Sequence, residues 1–173
     1  MLSLIEQEKL HPQIRRAFLM LLITGARKNE ILTCKWSWVD LERSIILLPE
    51  SKTGKKIIYL ADHAKQILHE QQAYSSDTEW VFPSTKTDGY IVNVTKSWNK
   101  IRTLANLQDV RIHDLRHTSA SIAANEGFGS HEIAKVLGHA QTSTTDRYTH
   151  LKDEAAFNVA NTVGEFIKTS TST

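Results

Sequence analysis

The chain has 173 residues, of which 40% are hydrophobic and 23% are charged. This length suits one domain with a proper core, and the composition excludes a disordered or fibrous protein. The net charge is only +2, so any affinity for nucleic acid must come from a local basic patch. Cys34 is the only cysteine, which excludes an internal disulfide and favours a reducing compartment. We find no signal peptide and no apolar run long enough to span a bilayer, and therefore expect a cytoplasmic protein without a membrane partner.

The sequence predicts an α+β fold that is predominantly α-helical, with a small three-stranded antiparallel sheet. Apolar residues at helical spacing indicate the helices, and β-branched runs beside turn residues indicate the strands. The helix after Asn93 should bury Val94, Trp98, Ile101 and Leu104 on one face. In chain order, the predicted elements are a helix over 12–23, a short helix from Arg27, strands at 45–48 and 56–60 around a turn at 51–54, a helix over 62–74, a third strand at 80–82, and helices over 93–104, 113–126, 130–137, 142–150 and 155–167.

The C-terminal third is the most informative part of the chain. The segment Arg111-Ile112-His113-Asp114-Leu115-Arg116-His117 is followed by Leu137-Gly138-His139 and then by Arg147-Tyr148. An arginine is a permanent cation whose planar fork fits phosphate oxygens, and a histidine can move a proton near neutral pH. A tyrosine hydroxyl can form a covalent intermediate. Together these residue types indicate covalent phosphoryl transfer.

The region from position 96 to position 117 also has a local excess of positive charge over Asp109 and Asp114. Such a cluster is the best candidate for a contact with the DNA backbone, although a solvated helix face has the same composition. The cationic residues are Lys96, Lys100, Arg102, Arg111 and Arg116.

Two other interpretations of this region are open on local pattern alone. Residues 130–139 followed by 142–145 have the length, the glycine turn and the polar second helix of a helix-turn-helix DNA-binding module. This interpretation gives no role to Tyr148, Arg27 or Arg116. A metal site is the other possibility, because His113 and His117 stand four residues apart on one helix face. A cation such as Arg116 between the ligands argues against it, and no third ligand stands at a typical spacing.

Five motifs spread along nearly the whole chain resemble the catalytic domain of the tyrosine recombinases, the phage integrases and their relatives. The family has a threonine-glycine-x-arginine-x-x-glutamate segment, a lysine in a β-turn, histidine-x-x-arginine, leucine-glycine-histidine, and a tyrosine nine residues beyond that histidine. In this chain the matching segments are Thr24-Gly25-Ala26-Arg27-Lys28-Asn29-Glu30, Ser51-Lys52-Thr53-Gly54-Lys55-Lys56, His113-Asp114-Leu115-Arg116, Leu137-Gly138-His139 and Tyr148.

The resemblance implies a catalytic role for six residues. Arg27 and Arg116 would bind the scissile phosphate, and Tyr148 would attack it to give a 3′-phosphotyrosyl link. His113 would be the base and His139 a hydrogen-bond partner of the phosphate. Lys52 would protonate the leaving 5′-oxygen, although Lys55 and Lys56 stand close enough to compete for that role. Glu30 and His117 would support these groups.

The resemblance also implies the reaction and the partners. The link conserves the bond energy, so no ATP, metal or other cofactor is expected. The DNA partners would be double-stranded attachment sites, with strand exchange through a four-way junction in a tetramer of a protein that is monomeric in isolation. A phage, prophage or other mobile element is the expected context, in the bacterial cytoplasm. A remnant that binds DNA without catalysis is the alternative, but all five motifs are intact.

The expected domain organisation follows from the same comparison. Residues 1–168 would form the catalytic domain, with a C-terminal helix at about 155–167 and a flexible tail over 169–173. Full-length relatives carry an N-terminal DNA-binding domain, which we expect to be absent here, so this chain should bind DNA weakly alone. The apolar face of the C-terminal helix fits packing on its own domain or on a neighbouring protomer.

Overall fold

A computed structural model describes residues 5, 10–51, 54–138 and 149–171 of the chain. It confirms a mostly helical domain with a small three-stranded antiparallel sheet. A 3-10 turn at Trp36–Trp38 precedes the sheet. The strands are β1 (Val39–Asp40), β2 (Ile45–Ser51) and β3 (Gly54–Tyr59). The helices are α1 (Pro12–Thr24), α2 (Lys28–Leu32), α3 (Asp62–Ser75), α4 (Thr95–Leu104), α5 (Asp114–Asn125), α6 (Ser130–Leu137) and α7 (Thr149–Thr171).

Helix α1 is the centre of the core. Its residues 17–24 are all buried, and it packs against α3, α5 and α7. Pro12 occupies the first turn as predicted, and Gly25 ends the helix at φ +60°. A side chain at position 25 would lie 2.5 Å from the Cδ2 of Leu137. Glycine is therefore required there both for its backbone conformation and for the close approach of α6.

The sheet differs from the prediction in its third strand. Val39 pairs with Ile46, and Ile46 pairs in turn with Ile58, giving the order β1-β2-β3. The predicted strand at 80–82 is wrong, because this segment makes only an isolated bridge from Trp80 to Lys35. Val81 and Phe82 are buried in the core, while Trp80 is half-buried. A short apolar run fits a strand and a buried irregular segment equally well.

Two predictions about the helices also need correction. Leu104 is 51% exposed, whereas Val94, Trp98 and Ile101 are buried; Leu104 is the last residue of α4. Helix α7 continues to Thr171, so residues 169–171 are helical where the sequence predicts a flexible tail. Most of the predicted helix over 142–150 lies outside the described residues.

Helix α7 packs on its own domain. It contacts α1, α3, α5, α6 and β3, and its apolar face is buried against them. The buried residues are Ala156, Val159, Ala160, Val163 and Ile167, while Phe166 is 45% exposed. Within the part of the chain that the structure describes, no helix is both long and apolar enough to cross a membrane.

Candidate active site

The first functional feature is a buried arginine in the first turn of α5. Arg116 is only 5% exposed, and its Nη1 donates a hydrogen bond to the backbone oxygen of Gly25 at 2.6 Å. This bond joins the start of α5 to the end of α1. The Nη2 of Arg116 is also buried and finds no hydrogen-bond partner among the described residues.

A second arginine lies near the first. Arg27 immediately precedes α2, and its side chain is 49% exposed. Burial, and to a lesser extent the positive charge of Arg27, lower the pKa of the Arg116 guanidinium. Buried donors without partners are costly, so an anion that bridges the two guanidiniums would be stabilised by hydrogen bonds and by charge.

Glu30 organises the start of α2. Its Oε2 accepts a hydrogen bond from the backbone N–H of Arg27 at 2.7 Å, and its Oε1 accepts one from Arg27 Nη1 at 3.0 Å. The first of these bonds satisfies a helix N-terminal donor, as in a capping box. The carboxylate therefore holds both the backbone and the guanidinium of Arg27 in place.

Glu30 also binds a buried lysine. The Nζ of Lys56 lies 2.6 Å from Glu30 Oε2. Burial by itself would raise the pKa of Glu30, but the Lys56 hydrogen bond and the Arg27 contacts hold that pKa below its usual value. Burial also lowers the pKa of Lys56, while the carboxylate of Glu30 opposes this shift.

Sequence reasoning named Lys56 only as a competitor of Lys52. The signal that separates the hairpin lysines is the alternation of side chains along β3. Lys56 and Ile58 share the buried face, whereas Ile57 between them is exposed. Because alternate side chains of a strand share a face, an inward-facing Ile58 predicts that Lys56 also points inward.

His113 lies just before α5 and is exposed. Its ring meets that of His117 edge to face, with centroids 5.5 Å apart. An open cleft of about 620 Å³ brings His113 together with Arg27 and with residues of α4. The cleft is lined by Arg27, Lys28, Asn29, Thr95, Trp98, Asn99, Arg102, Arg111, Ile112 and His113.

The predicted basic patch divides into two groups. Arg102 and Arg111 line the cleft, and Arg111 Nη2 is paired with Asp114 at 3.1 Å. Lys96 and Lys100 are exposed elsewhere on α4. The cationic side chains therefore occur both inside the cleft and on the helix that forms its wall.

Three predicted catalytic residues, Lys52, His139 and Tyr148, lie outside the described residues, so their roles stay predictions. Gly138, which precedes His139, is described and adopts φ +68°. A methyl group on Gly138 would overlap the Cε of Lys56. The chain leading to position 139 thus lies against the same lysine that binds Glu30.

The structure also bears on the other candidate sites. Among the described residues, no group of three or more His, Cys, Asp or Glu side chains is arranged to hold a metal ion. The first helix of the possible helix-turn-helix is present as α6, but its second helix lies largely in the segment without described residues. Cys34 is buried, and burial raises its pKa to about 12, as expected of a core residue.

Comparison with known proteins gives consistent matches. The phage integrase family matches residues 1–155. Prophage integrase IntF of Escherichia coli (strain K12) is 29% identical over 144 residues, covering 80% of this chain and 31% of that protein. Tyrosine recombinase XerA of Saccharolobus solfataricus is 31% identical over 133 residues, covering 76% of this chain and 44% of that protein.

Solved structures agree with this assignment. The integrase from mycobacterium phage Brujita has a TM-score of 0.72 at 16% identity, covering 92% of this chain and 54% of that chain. A crystal structure of XerA recombinase has a TM-score of 0.61 at 29% identity, with 88% and 57% covered. XerH recombinase bound to its difH substrate has a TM-score of 0.67 at 21% identity, with 90% and 50% covered.

The chain therefore belongs to the phage integrase family, and it has the fold of a tyrosine recombinase catalytic domain. This confirms the family and the fold class that the five motifs predicted. The chain spans less than half the length of the two curated relatives described above.

Proposed function

We propose that this chain is the catalytic domain of a site-specific DNA recombinase that cleaves and rejoins DNA through a covalent link to Tyr148. The observation that carries the proposal is the Nη2 of the buried Arg116, near Arg27, which has no hydrogen-bond partner among the described residues. These groups suit a phosphodiester, which carries one negative charge and gains more charge on its oxygens as it is attacked. Donors fixed before the reaction stabilise that charge most effectively.

The proposed cleavage step is balanced by two proton transfers. The hydroxyl oxygen of Tyr148 attacks phosphorus, and its proton passes to His113. The bond from phosphorus to the 5′-oxygen breaks, and Lys52 donates a proton to that oxygen. The products are a 3′-phosphotyrosyl link and a free 5′-hydroxyl, so the energy of the broken ester is kept in the new one.

Rejoining reverses these steps with a different strand. The 5′-hydroxyl of the partner strand attacks the phosphotyrosine and releases Tyr148. Exchange of both strand pairs passes through a four-way junction and requires four protomers on two duplexes. We therefore propose double-stranded attachment sites and a DNA-bound tetramer as partners. Integration and excision of a phage, prophage or other mobile element is the proposed role.

In this proposal the cleft is part of the DNA-binding surface. Arg102 and Arg111 line it together with Arg27, and Lys96 and Lys100 lie on the same helix as Arg102. Contacts of this kind neutralise phosphates and position a duplex without reading its sequence.

The test is incubation with a duplex that is nicked close to the cleavage site. Cleavage then releases a short fragment with a free 5′-hydroxyl, and because this fragment diffuses away, the covalent product cannot be rejoined. The protein is tested as it occurs in its source, bound to its attachment site. Denaturing electrophoresis should show a protein–DNA adduct with the wild type and with Tyr74→Phe, which removes an exposed hydroxyl, but none with Tyr148→Phe. Absence of an adduct from protein that binds the DNA would refute the proposed enzyme activity.

A further inference from the structure

Lys56 is a buried cation that the reaction proposed above does not use. Its side chain is 7% exposed, which is rare for a lysine unless it is paired. Its partner, Glu30, is itself only 13% exposed. Buried ion pairs of this kind add little to stability compared with apolar side chains of similar size, so their presence calls for another explanation.

The contacts of Glu30 supply that explanation. Oε2 accepts hydrogen bonds from both Lys56 Nζ and the Arg27 backbone, and Oε1 accepts one from the Arg27 guanidinium. Lys56 therefore holds the carboxylate of Glu30 in its charged form and in one orientation, and this carboxylate positions Arg27. Without the lysine, the carboxylate of Glu30, which is only 13% exposed, would lose the cation that helps to fix its orientation toward Arg27.

A second contact connects Lys56 to the Leu-Gly-His segment. The Cδ and Cε of Lys56 occupy the space where a side chain of residue 138 would be. Gly138 ends α6 in a left-handed conformation that glycine adopts without strain. The lysine stem thus packs against the backbone from which His139 follows.

We propose that Lys56 is a positioning residue for DNA cleavage, which orients Arg27 through Glu30 and packs against Gly138 beside the phosphate site. This inference rests on the proposed function. It assigns Lys56 a role distinct from that of Lys52, because an ammonium group held 2.6 Å from a carboxylate and largely shielded from solvent is not presented to a leaving oxygen.

The first test compares single-turnover rates of adduct formation on the nicked duplex. Lys56→Met keeps the length of the side chain and removes its charge, so we expect the rate to fall about 100-fold, the effect of a small misplacement of a catalytic group. The dissociation constant for DNA should change by less than about 3-fold, since Lys56 does not face solvent. Lys86→Met, at an exposed loop lysine, is the matched control and should react like the wild type.

The second test asks whether Lys56 acts through Glu30. If it does, the double variant Lys56→Met with Glu30→Gln should cleave no more slowly than Glu30→Gln alone, because coupled residues are not additive. Multiplicative losses would overturn the proposal. Lys56→Arg, which keeps the charge, should recover at least about 10-fold of the rate lost in Lys56→Met, and it allows the test to proceed if the methionine variant does not fold.

The third test separates positioning from proton donation. The substrate for this test has sulfur in place of the leaving 5′-oxygen. Its leaving group departs as a thiolate, which needs no proton. This substrate should restore cleavage by Lys52→Ala but not by Lys56→Met. Restoration of Lys56→Met, or a wild-type rate for Lys56→Met on the normal substrate, would overturn the inference. Failure of the wild type to form any adduct would instead count against the proposed function itself.

Discussion

Arg116 is the described residue on whose guanidinium group the proposed chemistry most depends. Removing one preorganised donor to a transition-state oxyanion costs about 10²–10³ in rate, so Arg116→Ala should lower the rate of adduct formation by at least that factor. Arg116→Lys should recover little, because an ammonium group cannot bind both Gly25 and a phosphate with a planar fork. Quenched single-turnover assays would measure both variants.

The control for this prediction is Arg43→Ala, which removes an arginine that is 74% exposed and paired only weakly with Asp40. Its cleavage rate should match that of the wild type. A rate for Arg116→Ala within about 3-fold of the control would mean that Arg116 only holds α5 to Gly25 through its hydrogen bond and does not bind phosphate.

Glu30 gives a pH-dependent prediction at the same scale. Its pKa in the folded protein lies below the ordinary value of 4.5, so its stabilising contribution is complete above pH 4.5 and is lost as the pH falls through the folded pKa. Glu30→Gln leaves Lys56 without its anion and should lower the free energy of unfolding by about 3 kcal/mol at pH 7.

Urea unfolding between pH 7 and pH 3 measures this effect. The difference between the wild type and Glu30→Gln should shrink below pH 4.5, because a protonated Glu30 resembles glutamine. A difference that stays constant over this range would show that the carboxylate charge does not stabilise the fold.

The resemblance to the family predicts that Arg27, Glu30 and Arg116 lie close together, since the family arrangement brings together the two motifs that contain them. Lys56 was not singled out, because three hairpin lysines stand within five positions and the motif selects Lys52. Only the inward register of β3 distinguishes Lys56. Alternation along β3 places Lys56 on the same face as Ile58, but which face is buried depends on strand pairing and on the approach of Gly138.

At the scale of elements, α7 makes a close contact at Gly164 with the chain before α3. A methyl group on Gly164 would lie 2.7 Å from the Cβ of Ala61, an atom that cannot move without its backbone. We expect Gly164→Ala to lower the free energy of unfolding by about 1–3 kcal/mol, even though alanine is the better helix former.

Thermal or urea denaturation checks this prediction. Gly89→Ala is the control, because the nearest atom to its new methyl group would be the Thr87 Oγ1 at 3.6 Å, an ordinary contact. An unchanged or higher stability for Gly164→Ala would mean that α7 is docked less tightly than its buried face indicates.

The elements also show where sequence patterns lose information. Helix α1 was predicted well because Pro12 and Gly25 mark its two ends, whereas α7 is one helix over 149–171 where the sequence predicts two helices that end at 150 and begin at 155. Strand β1 was missed because two residues cannot display an alternation, and 80–82 was mistaken for a strand because a short apolar run fits a buried irregular segment equally well. Helix ends are also hard to predict: Leu104 is apolar, but it is the last residue of α4 and is 51% exposed.

At the scale of the whole molecule, the candidate site exists only in the folded protein. The hydrogen bond from Arg116 to Gly25 joins residues 91 positions apart in the sequence. Lys56 of strand β3 binds Glu30 of helix α2. For the phosphate-binding half of the proposed mechanism, the described side chains are those of Arg27 and Arg116. The other half, the covalent step, depends on Tyr148, where motif spacing is the basis of the prediction.

The most direct test of the central claim is to identify the atom to which DNA becomes attached. Adduct from the nicked substrate can be digested with protease and nuclease, and the remaining nucleotide-bearing peptide located by tandem mass spectrometry. We predict a 3′-phosphate ester on the hydroxyl of Tyr148, with the matching DNA strand ending in a free 5′-hydroxyl. Attachment through a 5′-phosphate, or to any other side chain, would contradict the account.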